Sequence, residues 1–426
     1  MFIARSAARI RRVRIAFVTL GILPCAVLVA WALHLRSTAH RDSLRRGWQQ
    51  RLGVALEVGS VAHLRPGAVR AEGCVLLDAT GQRVLELARV EAEAAAVEDR
   101  LTIDRLCCDE HGAGLLAALA RDWLYGEARF PRSCVVDVAD FRWDETAPAA
   151  ALRVECVAHA GSRAIRIVRH AAAVDEVRIV RTWSQDPGGA AADHVEIEAS
   201  CSDAVPWKIV AALTGAGRTA ATIFGPRAAA QGSVHATWEG DSWSGTVAGR
   251  ITAVDAASCA AALGSRAAGE ATIGLDGVVW RRGRLSDGTI DWSVGPGRID
   301  GRLLDRMAAA FGSPPRATVP TAGAQESFDA MACRLRIGPG GVQMQTAAGS
   351  PGGLVTARGM PLLEAPAAVV PFDRFAWMLA APGTTYVPAS GPGAWLMSVL
   401  PGADDEPARG GPQATNPPSQ GGGGAF

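Results

Sequence analysis

Nine cysteines are the side chains of this 426-residue sequence that could do the most specific chemistry. None of them forms a C-x-x-C pair and no histidine cluster accompanies them, so the spacing does not predict a zinc site. Several lie in segments that alternate apolar and polar residues, where a cysteine acts as a small buried hydrophobic residue. We therefore expect core thiols, with one or two disulfides in an oxidising compartment as the alternative. The nine are Cys25, Cys74, Cys107, Cys108, Cys134, Cys156, Cys201, Cys259 and Cys333.

The sequence motifs of common enzymes are absent or incomplete. Because Lys208 is the one lysine, a phosphate-binding loop of the G-x-x-x-x-G-K-[ST] type is excluded. The glycines of residues 295–301 miss the dinucleotide-binding spacing. The stretch 240–245 resembles a nucleophile elbow, but it lies between two alternating segments and is interpreted as a hairpin turn. Residues 107–111 (Cys-Cys-Asp-Glu-His) are interpreted as a sheet edge or turn. We therefore predict no catalytic site, no cofactor and no metal.

The charge balance argues against a nucleic-acid partner. Lys and Arg number 43 against 42 Asp and Glu, which leaves a formal net charge of +1. A protein that binds nucleic acid needs a basic face to displace counterions from phosphates. No nucleic-acid binding is therefore predicted.

An N-terminal apolar segment at residues 15–35 predicts a single transmembrane helix. Its length corresponds to about 31 Å of helix, which matches a bilayer core of about 30 Å. Five arginines precede it without an acidic residue, which favours residues 1–14 inside and the body outside. We predict an inner-membrane protein with its body in the periplasm. The alternative is a cleaved signal peptide, since small residues flank Trp31 in the Ala-Trp-Ala sequence 30–32.

The spacing of apolar residues changes after the anchor. Residues 36–53 have helical spacing and predict a juxtamembrane helix. From Leu56 onward the period is two, which is typical of antiparallel strands with one face in water. The sequence predicts a mainly β fold with 15 to 20 strands and four short helices. The predicted helices cover residues 115–124, 207–213, 256–263 and 303–311.

Composition divides the rest of the chain. A β-rich body covers residues 54–312, followed by a linker rich in Pro, Ala and Thr at 313–325. A second β segment covers residues 326–380. Residues 381–426 are rich in Pro and Gly and are predicted to be disordered, because such a composition cannot bury a core.

The order of these features resembles the AsmA-like family of membrane-anchored bacterial envelope proteins. Residues 52–93 resemble the opening of that family, in which a strand, a Pro-Gly turn and a strand with a "gv.l.d" phrase follow the membrane helix. Here the phrase is EGCVLLD at residues 72–78. Residues 326–359 resemble the C-terminal segment of the family, with its "f..l...f.i..G.l" phrase. That phrase falls on Phe328, Met331, Leu335, Ile337, Gly340 and Val342.

The resemblance implies an elongated, curved antiparallel sheet with an apolar groove. In such relatives the groove is associated with moving or organising lipids between envelope membranes, or with outer-membrane assembly. It implies membrane lipids, phospholipid above all, as ligands, and envelope proteins as further partners. The alternating positions expected to line the groove are Leu152, Val154, Val195, Ile197, Leu335 and Ile337.

Two other hypotheses remain at this point. A bitopic scaffolding subunit of an envelope or secretion assembly would have a closed core and partner-binding sheet edges, without lipid binding. A hydrolase would need a buried Ser-His or acid pair that converges in one pocket.

Overall fold

The computed structural model describes most of residues 7–374. The segments outside the description are 79, 95–97, 127–132, 144–147, 171–173, 184–192, 215–221, 263, 313–324, 347–352 and everything after 374. The predicted linker lies outside the described residues except for Gln325, which begins a strand. The predicted disordered tail also lies outside them.

The N-terminal region is helical. Helix α1 (Ala7–Phe17), a π-helical turn (Val18–Ile22) and α2 (Leu23–Leu35) follow one another. Within them, the helix Arg11–Leu35 is long and apolar enough to cross a membrane. No residue of α2 is buried against the rest of the protein. An apolar helix left unburied by protein is suited to a lipid environment.

Helix α3 (Thr38–Leu52) connects the apolar helix to the body. Its first turn is capped by the Ser37 hydroxyl, which accepts from the His40 amide, and it ends at Gly53 in the left-handed conformation. Nε2 of His40 lies 2.9 Å from Nε2 of His63 in the second strand. Gln49 donates to the carbonyl of Leu56 in the first strand. Both ends of α3 are therefore fastened to the start of the sheet.

The body is mainly β, as predicted. The strands of the described residues are β1 (Ala55–Glu57), β2 (Ser60–Arg65), β3 (Ala68–Leu77), β4 (Arg83–Ala94), β5 (Glu98–Cys107), β6 (Ser133–Arg142), β7 (Ala150–His159), β8 (Ser162–His170), β9 (Val174–Trp183), β10 (Asp193–Pro206), β11 (Ala229–Glu239), β12 (Ser242–Asp255), β13 (Ala267–Ala268), β14 (Glu270–Arg281), β15 (Arg284–Val294), β16 (Gly297–Asp300), β17 (Gln325–Phe328), β18 (Ala330–Gly338), β19 (Gly341–Thr346), β20 (Gly353–Ala357) and β21 (Met360–Glu364).

Eighteen of these strands form one sheet in which almost every strand pairs with its neighbour in sequence. Strands β1 and β2 share one edge of β3, and the sheet continues in order through β12, β14, β15 and β18. Strands β19 and β20 share the far edge of β18. Every pair is antiparallel except β5–β6, which is parallel. Strands β13, β16 and β17 form a separate small sheet.

Among the described residues, four helices of seven residues or more follow strands of the body, and each overlaps a helix expected from the sequence. They are α4 (Glu110–Tyr125), α5 (Trp207–Leu213), α6 (Ala256–Ala262) and α7 (Gly301–Phe311). Helix α4 provides the crossover that a parallel pair requires between β5 and β6. It begins five residues before the predicted start, because the Asp109 carboxylate accepts from the Gly112 amide and caps the helix.

Three apolar clusters form the core of the described residues. An N-terminal cluster joins β1, β3 to β6 and the end of β10 with α4 and α5. A C-terminal cluster joins the strands from β12 to β21 with α6 and α7. A small third cluster packs Trp123 and Leu124 of α4 on Ile165 of β8. The helices therefore lie on one face of the sheet.

The N-terminal cluster joins strands that are far apart in the order of the sheet. Ala71 of β3 and Val205 of β10 belong to this one cluster although seven strand spacings separate them. Neighbouring strands lie about 4.8 Å apart, so a flat sheet would place them roughly 34 Å from each other. Residues of α4 and α5 link these strands within the cluster. The curvature that the family resemblance implies for the whole sheet stays a prediction.

A pair of glycines brings β11 and β12 into very close contact. Gly232 and Gly249 are register partners, and both have positive φ, +143° and +158°. A Cβ on Gly232 would overlap the carbonyl oxygen of Ala248 and the Cα of Gly249. The pairing of β12 with β14 shifts in register at Gly249. Such irregularities bend a strand and increase its twist.

Candidate functional site

The register of the large sheet places all six predicted groove residues on one face, which we call the inner face. Directly opposed residues of antiparallel strands point to the same side of a sheet. Val154 of β7 is connected in this way through Ile167 and Val177 to Ala199 of β10. Leu152 and Ile197 lie two residues from Val154 and Ala199 on their strands and therefore point to the same face. One complete row runs Val154, Ile167, Val177, Ala199, Val234 and Val247.

A second row extends the inner face to the C-terminal strands. It runs from Cys201 through Gly232, Gly249, Leu275, Ile290 and Leu335 to Met344. Because Cys201 and Ile197 alternate on β10, both rows belong to the same face. The inner face is therefore apolar along these rows, from β7 to β19.

The helices cover the two ends of this face. Leu152 packs against the N-terminal cluster and Val154 against Trp123 and Leu124 of α4. At the other end, Leu335 and Ile337 pack in the C-terminal cluster with α7. These four predicted residues therefore contact other parts of the protein, and their role in a groove stays a prediction.

The middle of the inner face belongs to none of the three clusters of the described residues. Ile197, Val234 and Val247 are apolar and only partly buried there. Val195 is 5% exposed, because it lies between its register partners Arg181 and Trp238. Apolar side chains that remain half open at the centre of a continuous face are where a ligand could still be accommodated.

Four tryptophans line one end of this open region. Trp238 and Trp243 are register partners across the β11–β12 hairpin, and Trp280 of β14 is the partner of Gly245. A Cβ on Gly245 would lie 2.8 Å from Cζ2 of Trp280, so the ring occupies the space over the glycine backbone. Trp183 of β9 completes this set, and Trp243 is 38% exposed. We call Ile197, Val234, Val247 and these tryptophans the central patch.

These tryptophans were not among the groove residues predicted from the sequence, although the alternation of their strands indicates their position. Trp238 and Trp243 flank the stretch 240–245, which the structure confirms as the turn of the β11–β12 hairpin. Each of the two occupies an apolar position in the alternation of its strand. Tracing that alternation across the hairpin would have placed both rings on the inner face.

Two arginines on the inner face have a structural explanation. Arg181 donates to the carbonyl of Leu124, 3.1 Å away, and Arg163 donates to the carbonyl of Trp123. Both carbonyls lie in the last turn of α4, where the helix dipole favours a positive charge. The Arg181 guanidinium also lies 4.2 Å from the ring centroid of Tyr125. These arginines fasten the end of α4 to β8 and β9.

A buried ionic network interrupts the apolar face beside Leu152. Arg169 and Asp175 are each 7% exposed at the side chain and form a 2.9 Å ion pair. Arg169 also donates to Asp203, and Asp175 accepts from the amide and the hydroxyl of Ser202. Each charge is paired and hydrogen-bonded, as a buried charge must be. The network joins β8, β9 and the irregular part of β10.

Among the described residues, one group has the composition and spacing of a metal site. Glu196, Glu198 and His235 offer ligand atoms within 4.8 Å of one another. They lie on the outer face, where Glu198 is 3.8 Å from Arg178 and His235 is 3.3 Å from Glu196. The ion pairs explain the group, so we assign no metal to it.

The cysteine-rich stretch 107–111 is part of a helix start. Cys107 ends β5, Asp109 caps α4, and the expected turn is therefore the beginning of this helix. Burial raises the pKa of Cys108 to about 12, which keeps its thiol protonated and unreactive. The stretch has the properties of packing and capping residues.

No protein-family model, curated protein or solved structure matches this chain. The apolar N-terminal helix and the inner face are therefore the features that bear on its function.

Proposed function

We propose that the protein is a membrane-anchored, AsmA-like envelope protein that binds lipid acyl chains on the central patch of its inner face. Phospholipid is the proposed ligand. The proposed location is the inner membrane, with residues 1–14 in the cytoplasm and the β body in the periplasm. Transfer of lipid along the face and contact with envelope proteins belong to the same proposal.

The continuity of the inner face is the observation that carries this proposal. Apolar side chains follow one another in register across the sheet, and those of the central patch remain partly open to solvent. Each methylene of an acyl chain that leaves water for such a surface is stabilised by about 0.8 kcal/mol. No catalytic group is needed for this task.

The helices restrict where the lipid can bind. Because α4 covers Leu152 and Val154, and α7 packs in the cluster that contains Ile337, acyl chains fit the open region between them. The tryptophans at one end of that region suit a boundary between acyl chains and water, because indole combines an apolar ring with one N–H donor.

Photocrosslinking in intact membranes tests the proposal on the full-length chain. A photoreactive amino acid replaces Val247, which lies on the inner face, or Thr246, which is exposed on the outer face of the same strand. We expect phospholipid adducts at position 247 and not at position 246, detected by mass spectrometry of the tryptic peptide. Equal lipid labelling at both positions, or none at either, contradicts lipid binding.

Charged variants on the two faces of β12 test whether the lipid adducts depend on the apolar inner face. Val247→Glu should abolish the adducts formed by a photoreactive group at position 197, because a carboxylate on the patch must be desolvated by the acyl chain. Thr246→Glu should leave them unchanged. Circular dichroism must show that both variants are folded. Protein adducts in place of lipid adducts at position 197 would favour the scaffolding hypothesis.

A further inference from the structure

Two cysteines face each other on adjacent strands of the inner face. Cys134 of β6 and Cys156 of β7 are direct register partners of an antiparallel pair. Each thiol shifts the pKa of the other, downward for Cys134 and upward for Cys156. Both are partly buried, and Cys156 packs beside Trp123 and Leu124 of α4.

The backbone geometry of this pair suits a covalent bond. Directly opposed residues of antiparallel strands have Cα atoms about 4.5–5.5 Å apart. A disulfide requires about 4.4–6.8 Å between the Cα atoms and Cβ vectors that point toward each other. Register partners meet the distance requirement, and because their side chains leave the same face of the sheet, their Cβ vectors do not point apart.

Three other cysteines of the large sheet oppose residues that are not cysteines. In the register of the strands, Cys74 opposes Leu87, Cys201 opposes Gly232, and Cys333 opposes Trp292 and Thr346. Burial raises the pKa of Cys201 and of Cys333 to about 12. These thiols are therefore protonated packing groups, and only the β6–β7 pair combines two opposed thiols in the part of the chain that the structure describes.

We propose that Cys134 and Cys156 are a redox site that forms an intramolecular disulfide by exchange with an external disulfide. The acceptor belongs to one chemical class, an external disulfide such as that of a disulfide oxidoreductase or of oxidised glutathione. This inference is independent of lipid binding. The disulfide would connect β6 to β7, directly beside the parallel β5–β6 pair.

The exchange is balanced in atoms and electrons. The Cys134 thiolate attacks one sulfur of the acceptor disulfide, forms a mixed disulfide and releases the other sulfur as a thiol. The Cys156 thiol then gives up its proton, attacks the sulfur of Cys134 and releases the second acceptor sulfur. Two cysteine thiols are oxidised and one acceptor disulfide is reduced to two thiols.

The pKa values of the two thiols are shifted in opposite directions, as this order of attack requires. The hydrogen bond from Cys156 lowers the pKa of Cys134, although burial and the nearby Asp99 and Glu98 act in the opposite direction. The same hydrogen bond, together with burial, raises the pKa of Cys156. Since the thiolate is the nucleophile in disulfide exchange, Cys134 reacts first and Cys156 resolves the intermediate.

Peptide mapping of the full-length protein tests the pair. The protein, reduced in detergent, is equilibrated with oxidised glutathione, quenched with acid, treated with N-ethylmaleimide and digested without reduction. We expect one linked peptide pair that contains Cys134 and Cys156, two hydrogen atoms lighter than the sum of its parts. Recovery of both residues as maleimide or glutathione adducts would overturn the proposal.

Variants distinguish this pair from other thiols. Cys134→Ala should convert Cys156 to a maleimide or glutathione adduct, while Cys25→Ala should leave the linked peptide unchanged. Oxidation should raise the urea midpoint of the wild type. The same treatment should not move the midpoint of the double variant Cys134→Ala, Cys156→Ala. An equal increase in that variant would also contradict the assignment.

Discussion

The buried pair of Arg169 and Asp175 is the residue-scale feature most at odds with an apolar inner face. Removing two charges from water costs several kcal/mol per ion, and only the full set of partners offsets that cost. Asp175 is held by Arg169 and by two donors of Ser202. Deleting one partner therefore leaves an uncompensated buried charge.

Asp175→Ala should lower the free energy of unfolding by about 3–5 kcal/mol, because Arg169 would remain buried without its closest carboxylate. Urea unfolding of the full-length protein, followed by circular dichroism, measures the change. Asp291→Ala is the matched control, since its ion pair with Arg334 is about half exposed on both sides. An exposed pair of this kind contributes no more than about 1 kcal/mol. Equal losses for the two variants would contradict the structural role of the network.

At the scale of single elements, the glycine pair of β11 and β12 has the strictest steric requirement. Gly232 and Gly249 are register partners on the inner face, and neither has space for a side chain. They adopt positive φ values that glycine tolerates and other residues rarely adopt. The bend of the sheet at this hairpin depends on both.

Gly232→Ala should destabilise the protein by about 1–3 kcal/mol, the range for an overpacked position, because the backbone of β12 must move to admit the methyl group. Gly114→Ala is the control in α4, where nothing lies within 4 Å of the added Cβ. That substitution should stabilise the helix by about 0.5–1 kcal/mol. Thermal unfolding of both variants measures the two changes. A neutral Gly232 variant would show that the strands are not in close contact here.

The sequence predicted the individual strands and helices better than their arrangement. Alternation with period two is a local property, so the strands carrying Leu152, Ile197 and Leu335 could be recognised without tertiary information. The parallel pairing of β5 with β6 could not be predicted, because nothing in the residues near Cys107 specifies at which end of β5 the next strand begins. Nor could alternation indicate that α4 would cover Leu152, since helix placement depends on contacts far apart in sequence.

At the scale of the whole molecule, the apolar helix and the body are joined without an intervening linker. Helix α3 begins three residues after Leu35 and is fastened to β1 and β2 at both ends. A body attached in this way would remain close to any membrane that the helix crosses. The location and the orientation of the two parts are therefore testable together.

An uncleaved anchor predicts that a tag placed before Met1 stays with the membrane fraction after alkaline carbonate extraction. A protease added to spheroplasts should degrade the body and leave the tag, because the tag is expected in the cytoplasm. Replacing Val27 and Leu28 by arginines should release the protein from the membrane, since each charge costs about 2.5–3.5 kcal/mol at the centre of a membrane helix. A soluble mature protein without the tag would support the alternative of a cleaved signal peptide.

The near-sequential pairing of the large sheet has a consequence for how the chain folds. Most strands of the large sheet pair with the strand that precedes them in the chain, so most loop closures are short and cost little entropy. Ordered structure can therefore grow from the first hairpin of β2 and β3 while later residues are still being synthesised. The parallel β5–β6 pair is an exception, because β6 can pair with β5 only after α4 has formed the crossover between them. Until β21 is added, each growing edge exposes unpaired amides, and slow addition of a strand would leave that edge open to the wrong partner.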